Sequence, residues 1–165
     1  MERFATKPQQ YHSVVRRLRA LLEGERDAIA NAANTAALLF EHVPDLNWAG
    51  FYFTRGEELV LGPFQGRVAC VRIAMGRGVC GTAARNRKSI VVENVHKFDG
   101  HIACDAGSNA EVVIPLVVGD RVVGVLDLDS PHLGRFDESD RVGLEEVAAV
   151  YLAATDVATL PGGGS

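Results

Sequence analysis

At Pro44 the hydrophobic period of this chain changes from about 3.6 residues to 2, and that break limits the folds open to it. Ahead of the break lie two helical segments. Pro8–Leu22 sets Tyr11, Val14, Val15, Leu18, Leu21 and Leu22 at helical spacing, with arginines on the other side. Glu25–His42 carries Ile29, Ala32, Ala33, Ala36 and Phe40, a stripe of small residues suited to close packing on another helix. Beyond the break, alternation predicts strands over 47–54, 58–61, 67–73, 89–93, 112–118 and 121–129, with Gly119-Asp120 as a hairpin turn. A short helix is expected over 79–87, and Asp137 opens a last one running to about Thr159. Helices followed by strands on short turns depart from the alternation of a doubly wound fold. The order predicts an α+β domain, an antiparallel sheet of about six strands with the N- and C-terminal helices on one face.

The 165 residues suit one domain, expected over 1–160, with 161–165 as a flexible glycine-rich tail. A net charge of −4 without a dense Lys/Arg cluster argues against nucleic acid as a partner. No apolar run approaches the roughly 20 residues of a membrane span, and no signal-peptide core follows Met1. A cytoplasmic location is therefore expected, where thiols stay reduced.

Against that background the cysteines stand out. Cys70, Cys80 and Cys104 are odd in number, so they cannot all pair within one chain. Cys70 alternates along a predicted strand, where inert packing would account for it. Cys80 lies near a helix start, a position that by electrostatics alone lowers a thiol pKa and favours reactivity. Cys104 falls in the unperiodic stretch 94–110, and long loops inside compact domains are often lids or binding segments. Three cysteines with His96 or His101 would make a zinc set, but no Cys-x-x-Cys-type spacing supports it, and no metal is expected. Gly76-Arg77-Gly78-Val79-Cys80-Gly81 fits a dinucleotide fingerprint by letter only, since no Rossmann unit follows.

Carboxylates supply the second signal. Asp127 and Asp129 are two apart on a strand and share a face, with Leu126 and Leu128 on the other. Aspartate is a poor strand former and like charges on one face repel, so their place in an apolar run points to a task. Glu111 has two readings. A two-residue Gly119-Asp120 turn pairs Val112 with Asp127 and sends Glu111 to the far face, whereas one extra residue at a Pro115 bulge brings it beside the aspartates. Trp48 and Tyr52 share a strand face, either as core packing or as the wall of a site.

The stretches Asn47–Tyr52, Gly62–Ile73, Gly76–Thr82, His101–Asp105, Glu111–Pro115 and Gly124–Ser130 together resemble the free methionine-(R)-sulfoxide reductases, a family built on a GAF domain. The resemblance implies Cys104 as nucleophile towards free L-methionine-(R)-sulfoxide, a sulfenic acid, and a disulfide with Cys70, or with Cys80 as alternative or auxiliary partner. It implies thioredoxin, fed by NADPH and thioredoxin reductase, as external reductant, with no bound cofactor. Glu111, Asp127 and Asp129 would bind the substrate ammonium group and supply a proton, while Trp48 and Tyr52 would wall the methyl-sulfur end. Pairing of N-terminal helices into a homodimer is also implied. The alternative of another class is a non-catalytic GAF module that senses a small ligand or thiol redox state.

Overall fold

The long helices each begin on a side chain that accepts a backbone N–H. Thr6 accepts from Gln9 at the start of α1 (Lys7–Leu21), where Pro8 sits in the first turn. Asp27 accepts from Ala30 ahead of α2 (Ala28–His42). Asp137 and Asp140 form a reciprocal capping box at α4 (Glu138–Ala154). These elements belong to a computed structural model that describes residues 3–4, 6–100 and 107–160.

Between α2 and α4 run β1 (Trp48–Arg55), β2 (Glu58–Gly66), β3 (Arg72–Ala74), α3 (Gly78–Asn86), β4 (Ile90–Val92), β5 (Ala110–Val118) and β6 (Arg121–Ser130). The strands form one antiparallel sheet in the order β3-β2-β1-β6-β5-β4. Alternation divides its side chains into two layers. Phe51, Phe53, Ile114, Leu126 and Leu128 meet the buried faces of α1, α2 and α4. Trp48, Tyr52, Val113 and Val125 face the opposite way, onto Val79, Cys80 and Ala83 of α3. The expected α+β class, the antiparallel sheet and the shared face of the terminal helices are therefore present. No helix among the described residues is long and apolar enough to cross a membrane.

A fully buried Asp140 ties the helical layer together. It accepts from Lys7 Nζ at 2.6 Å, Tyr11 Oη at 2.8 Å and Arg135 at 3.2 Å. Replacing it with alanine leaves the buried Arg135 guanidinium and Tyr11 phenol without their carboxylate, while Lys7, a third exposed, keeps Asp137. Asp140→Ala is expected to destabilise the fold by about 3 kcal/mol in urea unfolding, and a change under about 1 kcal/mol would contradict this account.

Several local expectations change: the strand expected over 58–61 runs on to Gly66, and the last helix ends at Ala154. The strand predicted over 67–73 shortens to Arg72–Ala74, leaving Cys70 in a connecting segment. Its carbonyls are satisfied off the ladder: Trp48 Nε1 donates to Arg67 O at 3.1 Å and Tyr52 Oη to Cys70 O at 3.0 Å. The apolar stripe of α2 is rotated from the expected one, because α2 packs on β1 and β2 through Ala28, Ala32, Ala36 and Leu39, leaving Ile29 and Phe40 exposed. Pro115 pairs in register with Val125 and makes no bulge.

Candidate active site

The position of Glu111 is decided at the far end of the β5–β6 hairpin. Val117 pairs with Val122 but Leu116 pairs with Gly124, so Val123 is the extra residue, on the strand opposite the proline. From there inward the register sets Glu111 across from Asp129 and Val113 across from Asp127. Of the two readings open from sequence, Glu111 takes the one that joins the aspartates. β1 completes the row, with Trp48 opposite Asp129 and Gly50 opposite Asp127. A side chain on Gly50 would collide with Phe64 Cβ at 2.3 Å and with the Trp48 ring at 2.8 Å, so glycine keeps the floor clear beside Asp127.

α3 brings the fourth chemical group. Gly81 lies against the preceding turn so closely that a Cβ there would stand 2.5 Å from Ala74 O. The glycines of the 76–81 motif thus seat a helix on a strand end, and this contact carries Cys80 down onto the carboxyls. Cys80 Sγ donates to Glu111 Oε1 at 3.8 Å. The donor atoms of Cys80, Glu111 and Asp127 all lie within 4.8 Å of one another, and all three residues are buried. A small cavity of about 60 Å³ is bounded by these residues with Asp129, Trp48, Tyr52, Ser108, Arg77 and the Val68-Ala69 segment. Trp48 stacks on Tyr52 and Phe64, at ring separations of 5.9 and 5.2 Å.

Burial sets the electrostatics. Desolvation, then the neighbouring Asp127 charge, pushes the Glu111 carboxyl well above its ordinary range. Asp127 is raised by desolvation and by Asp129. The two carboxyls therefore retain a proton between them where isolated acids would have lost theirs. Desolvation and the same acids push the Cys80 thiol up as well. This overturns the expectation from the helix start: burial among carboxyls outweighs the N-terminus of α3, and Cys80 is held as a thiol. Cys80 is free, whereas Cys70 is disulfide-bonded.

Of the residues singled out from sequence, Trp48, Tyr52, Cys80, Glu111, Asp127 and Asp129 line one cavity, and Cys70 lies in the segment above it. Cys104 lies outside the described residues, as do His101 and the tail 161–165. Both flanks of the Cys104 loop are anchored. Val95 N donates to Asn109 O at 2.9 Å, Asn109 N to Ser130 O at 2.8 Å, and Asn47 Nδ2 to Ser108 Oγ at 3.3 Å. Sequence reasoning missed Ser108 and Arg77 as wall residues. The one signal for Ser108 was its place in the unperiodic stretch 94–110 that also holds Cys104.

A six-stranded antiparallel sheet with the terminal helices packed on one face is the architecture of a GAF domain, and the GAF domain family matches residues 25–155. The chain is 52% identical to the free methionine-R-sulfoxide reductase of Escherichia coli over 91% of this chain and 93% of that one. Against the enzyme of the same name from Saccharomyces cerevisiae it is 41% identical, over 78% and 76% of the two chains. The structure of free methionine-R-sulfoxide reductase from Neisseria meningitidis, in complex with its substrate, superposes with a TM-score of 0.89 at 42% identity, covering 93% of each chain. The chain belongs to the free methionine-R-sulfoxide reductase family of GAF domains, and these reductases are oxidoreductases.

Proposed function

We propose that this chain reduces free L-methionine-(R)-sulfoxide to L-methionine with Cys104 as nucleophile and Cys70 as resolving thiol. The observation that carries this reading is the Glu111–Asp127 carboxyl pair, buried in the cavity wall beneath the segment that bears a disulfide-bonded Cys70. The Cys104 thiolate attacks the sulfoxide sulfur while a carboxyl of the pair protonates the departing oxygen. The hydroxyl passes from the substrate sulfur to the Cys104 sulfur as the transient sulfur–sulfur bond breaks, so methionine leaves and Cys104 carries the oxygen as a sulfenic acid. Cys70 then condenses with it, forming the S–S bond and releasing water. Thioredoxin dithiol restores both thiols by exchange and is itself oxidised, with NADPH and thioredoxin reductase behind it. No bound cofactor enters.

Several features support these roles. Cys104 is four residues from Ser108, which lines the cup, and a chain spans at most about 3.6 Å per residue, or roughly 14 Å in all. Cys80 is buried, free and held as a thiol, which suits the proton-rich wall better than the resolving role. Asp129, with its buried neighbours, offers negative charge to the ammonium group of a free amino acid, a group that a methionine residue within a chain lacks. Trp48 and Tyr52 present flat apolar surface for the methyl-sulfur end. In this proposal residues 1–160 form one cytoplasmic domain, paired as a homodimer through α2, whose Ile29 and Phe40 are 40% and 38% exposed on one helical face with Ala33.

The test compares R and S epimers of free and protein-bound methionine sulfoxide in a thioredoxin-coupled assay. Turnover of the free R epimer alone is expected. Reduction of the S epimer, or of the protein-bound residue at a comparable rate, would overturn the reading, and tight binding without turnover would favour a ligand sensor.

A further inference from the structure

The acidic cup gathers a thiol onto the two carboxyls that the proposed reduction uses as acids, and the three donors together can serve a second ligand. Cys80 Sγ, a Glu111 carboxyl and an Asp127 carboxyl converge within 4.8 Å, each from a different rigid element, α3, β5 and β6. Asp127 is 5% exposed, yet its Oδ1 has no hydrogen-bond partner among the described residues, and the side chain lines the cavity. A buried acceptor left bare is costly and marks a place where a donor or a cation belongs.

We propose that Cys80, Glu111 and Asp127 form a binding site for a divalent cation of the zinc class, which occupies the cup in place of substrate. The donor separations are close to those a bound ion sets. A tetrahedral zinc at about 2.3 Å from sulfur and about 2.1 Å from oxygen sets those donors roughly 3.6 Å apart. Cys80 Sγ and Glu111 Oε1 stand 3.8 Å apart. Asp127 supplies the third ligand through the oxygen that otherwise lacks a partner, and the cavity side leaves a fourth position for water. One sulfur among two carboxylates selects zinc-class ions over magnesium and calcium, which take oxygen ligands only. Coordination sends the thiol proton and the proton shared by the carboxyls to solvent, and no electron moves. The exclusion of substrate rests on the function proposed above; the cation site itself does not.

Cobalt(II) tests the site on the full chain, because thiolate coordination produces a near-ultraviolet charge-transfer band that oxygen ligands do not. The expected result is a band that saturates at one ion per chain, is displaced by Zn²⁺, and is absent in Cys80→Ser. Glu111→Gln should weaken binding by about tenfold or more while far-ultraviolet circular dichroism stays unchanged, which keeps the test open should Cys80→Ser fold poorly. No band at stoichiometric cobalt, or a band undiminished in Cys80→Ser, overturns the site. Free methionine sulfoxide should then compete the band away. If ion and sulfoxide bind together, the cation site stands and the assignment of the cup to substrate falls.

Discussion

Cys104→Ser is expected to lower methionine-sulfoxide-dependent NADPH oxidation by about a thousandfold or more in the thioredoxin-coupled assay, because a serine hydroxyl at neutral pH does not replace a thiolate. The expectation is specific to this cysteine. Cys80 is buried among acids that hold it as a thiol, and Cys70 is disulfide-bonded. The three substitutions should therefore separate. Cys70→Ser should release about one equivalent of methionine per chain in a single turnover and then recycle poorly with thioredoxin. Near-normal steady-state turnover in Cys104→Ser removes it from the nucleophile role, and unimpaired recycling in Cys70→Ser transfers the resolving role to Cys80.

Glu111→Gln should raise stability and remove activity together. The Glu111 carboxyl is held well above its ordinary range in the folded chain, chiefly by desolvation and then by Asp127. The native state thus binds more protons than the unfolded chain at pH values above the ordinary glutamate pKa of about 4.3. Stability from this group is complete below that pH and declines as pH rises towards the elevated native value, the reverse of an ordinary salt-bridged carboxylate. Glutamine has the shape of the protonated acid and needs no proton, so the variant escapes the decline. A gain of order 1 to 3 kcal/mol at pH 7 is expected, seen as a Tm several degrees higher, with a flatter dependence of stability on pH between 5 and 8. Turnover should fall by about a hundredfold or more, since glutamine cannot protonate the departing oxygen. A Tm equal to or below that of the parent protein across this pH range would contradict the buried-proton description. Full activity in the variant would leave Asp127 or Asp129 as proton donor.

These effects arise from a site whose parts were unequally legible. The period-2 alternation placed Trp48 with Tyr52 and Asp127 with Asp129 on common faces, because side-chain direction in a strand follows from residue parity alone. Parity failed for Glu111. Its face depends on one inserted residue at Val123, near the hairpin end, and nothing in the local pattern of Val122-Val123-Gly124 marks which residue loops out. A proline did mark a register break, but at β2: Gly50 pairs with Phe64 and Tyr52 with Leu61, so Gly62-Pro63 spans the irregularity while Pro115 stays in register. Likewise the alternation at 67–73 suggested a strand, yet Trp48 and Tyr52 take up the carbonyls of Arg67 and Cys70 from across the cup. Those bonds span 19 and 18 residues and leave no trace in the segment itself.

The α+β class, the antiparallel sheet, the paired aspartates and the cysteine inventory were readable from the chain, because each depends on local periodicity or residue type. Tertiary structure alone decided that Glu111 joins the aspartates, that Cys80 is pressed among them as a buried thiol, and that Cys70 lies in a segment strapped over the cup. The reason is that ionisation follows burial and neighbouring charge, and both are set by strands and a helix far apart along the chain.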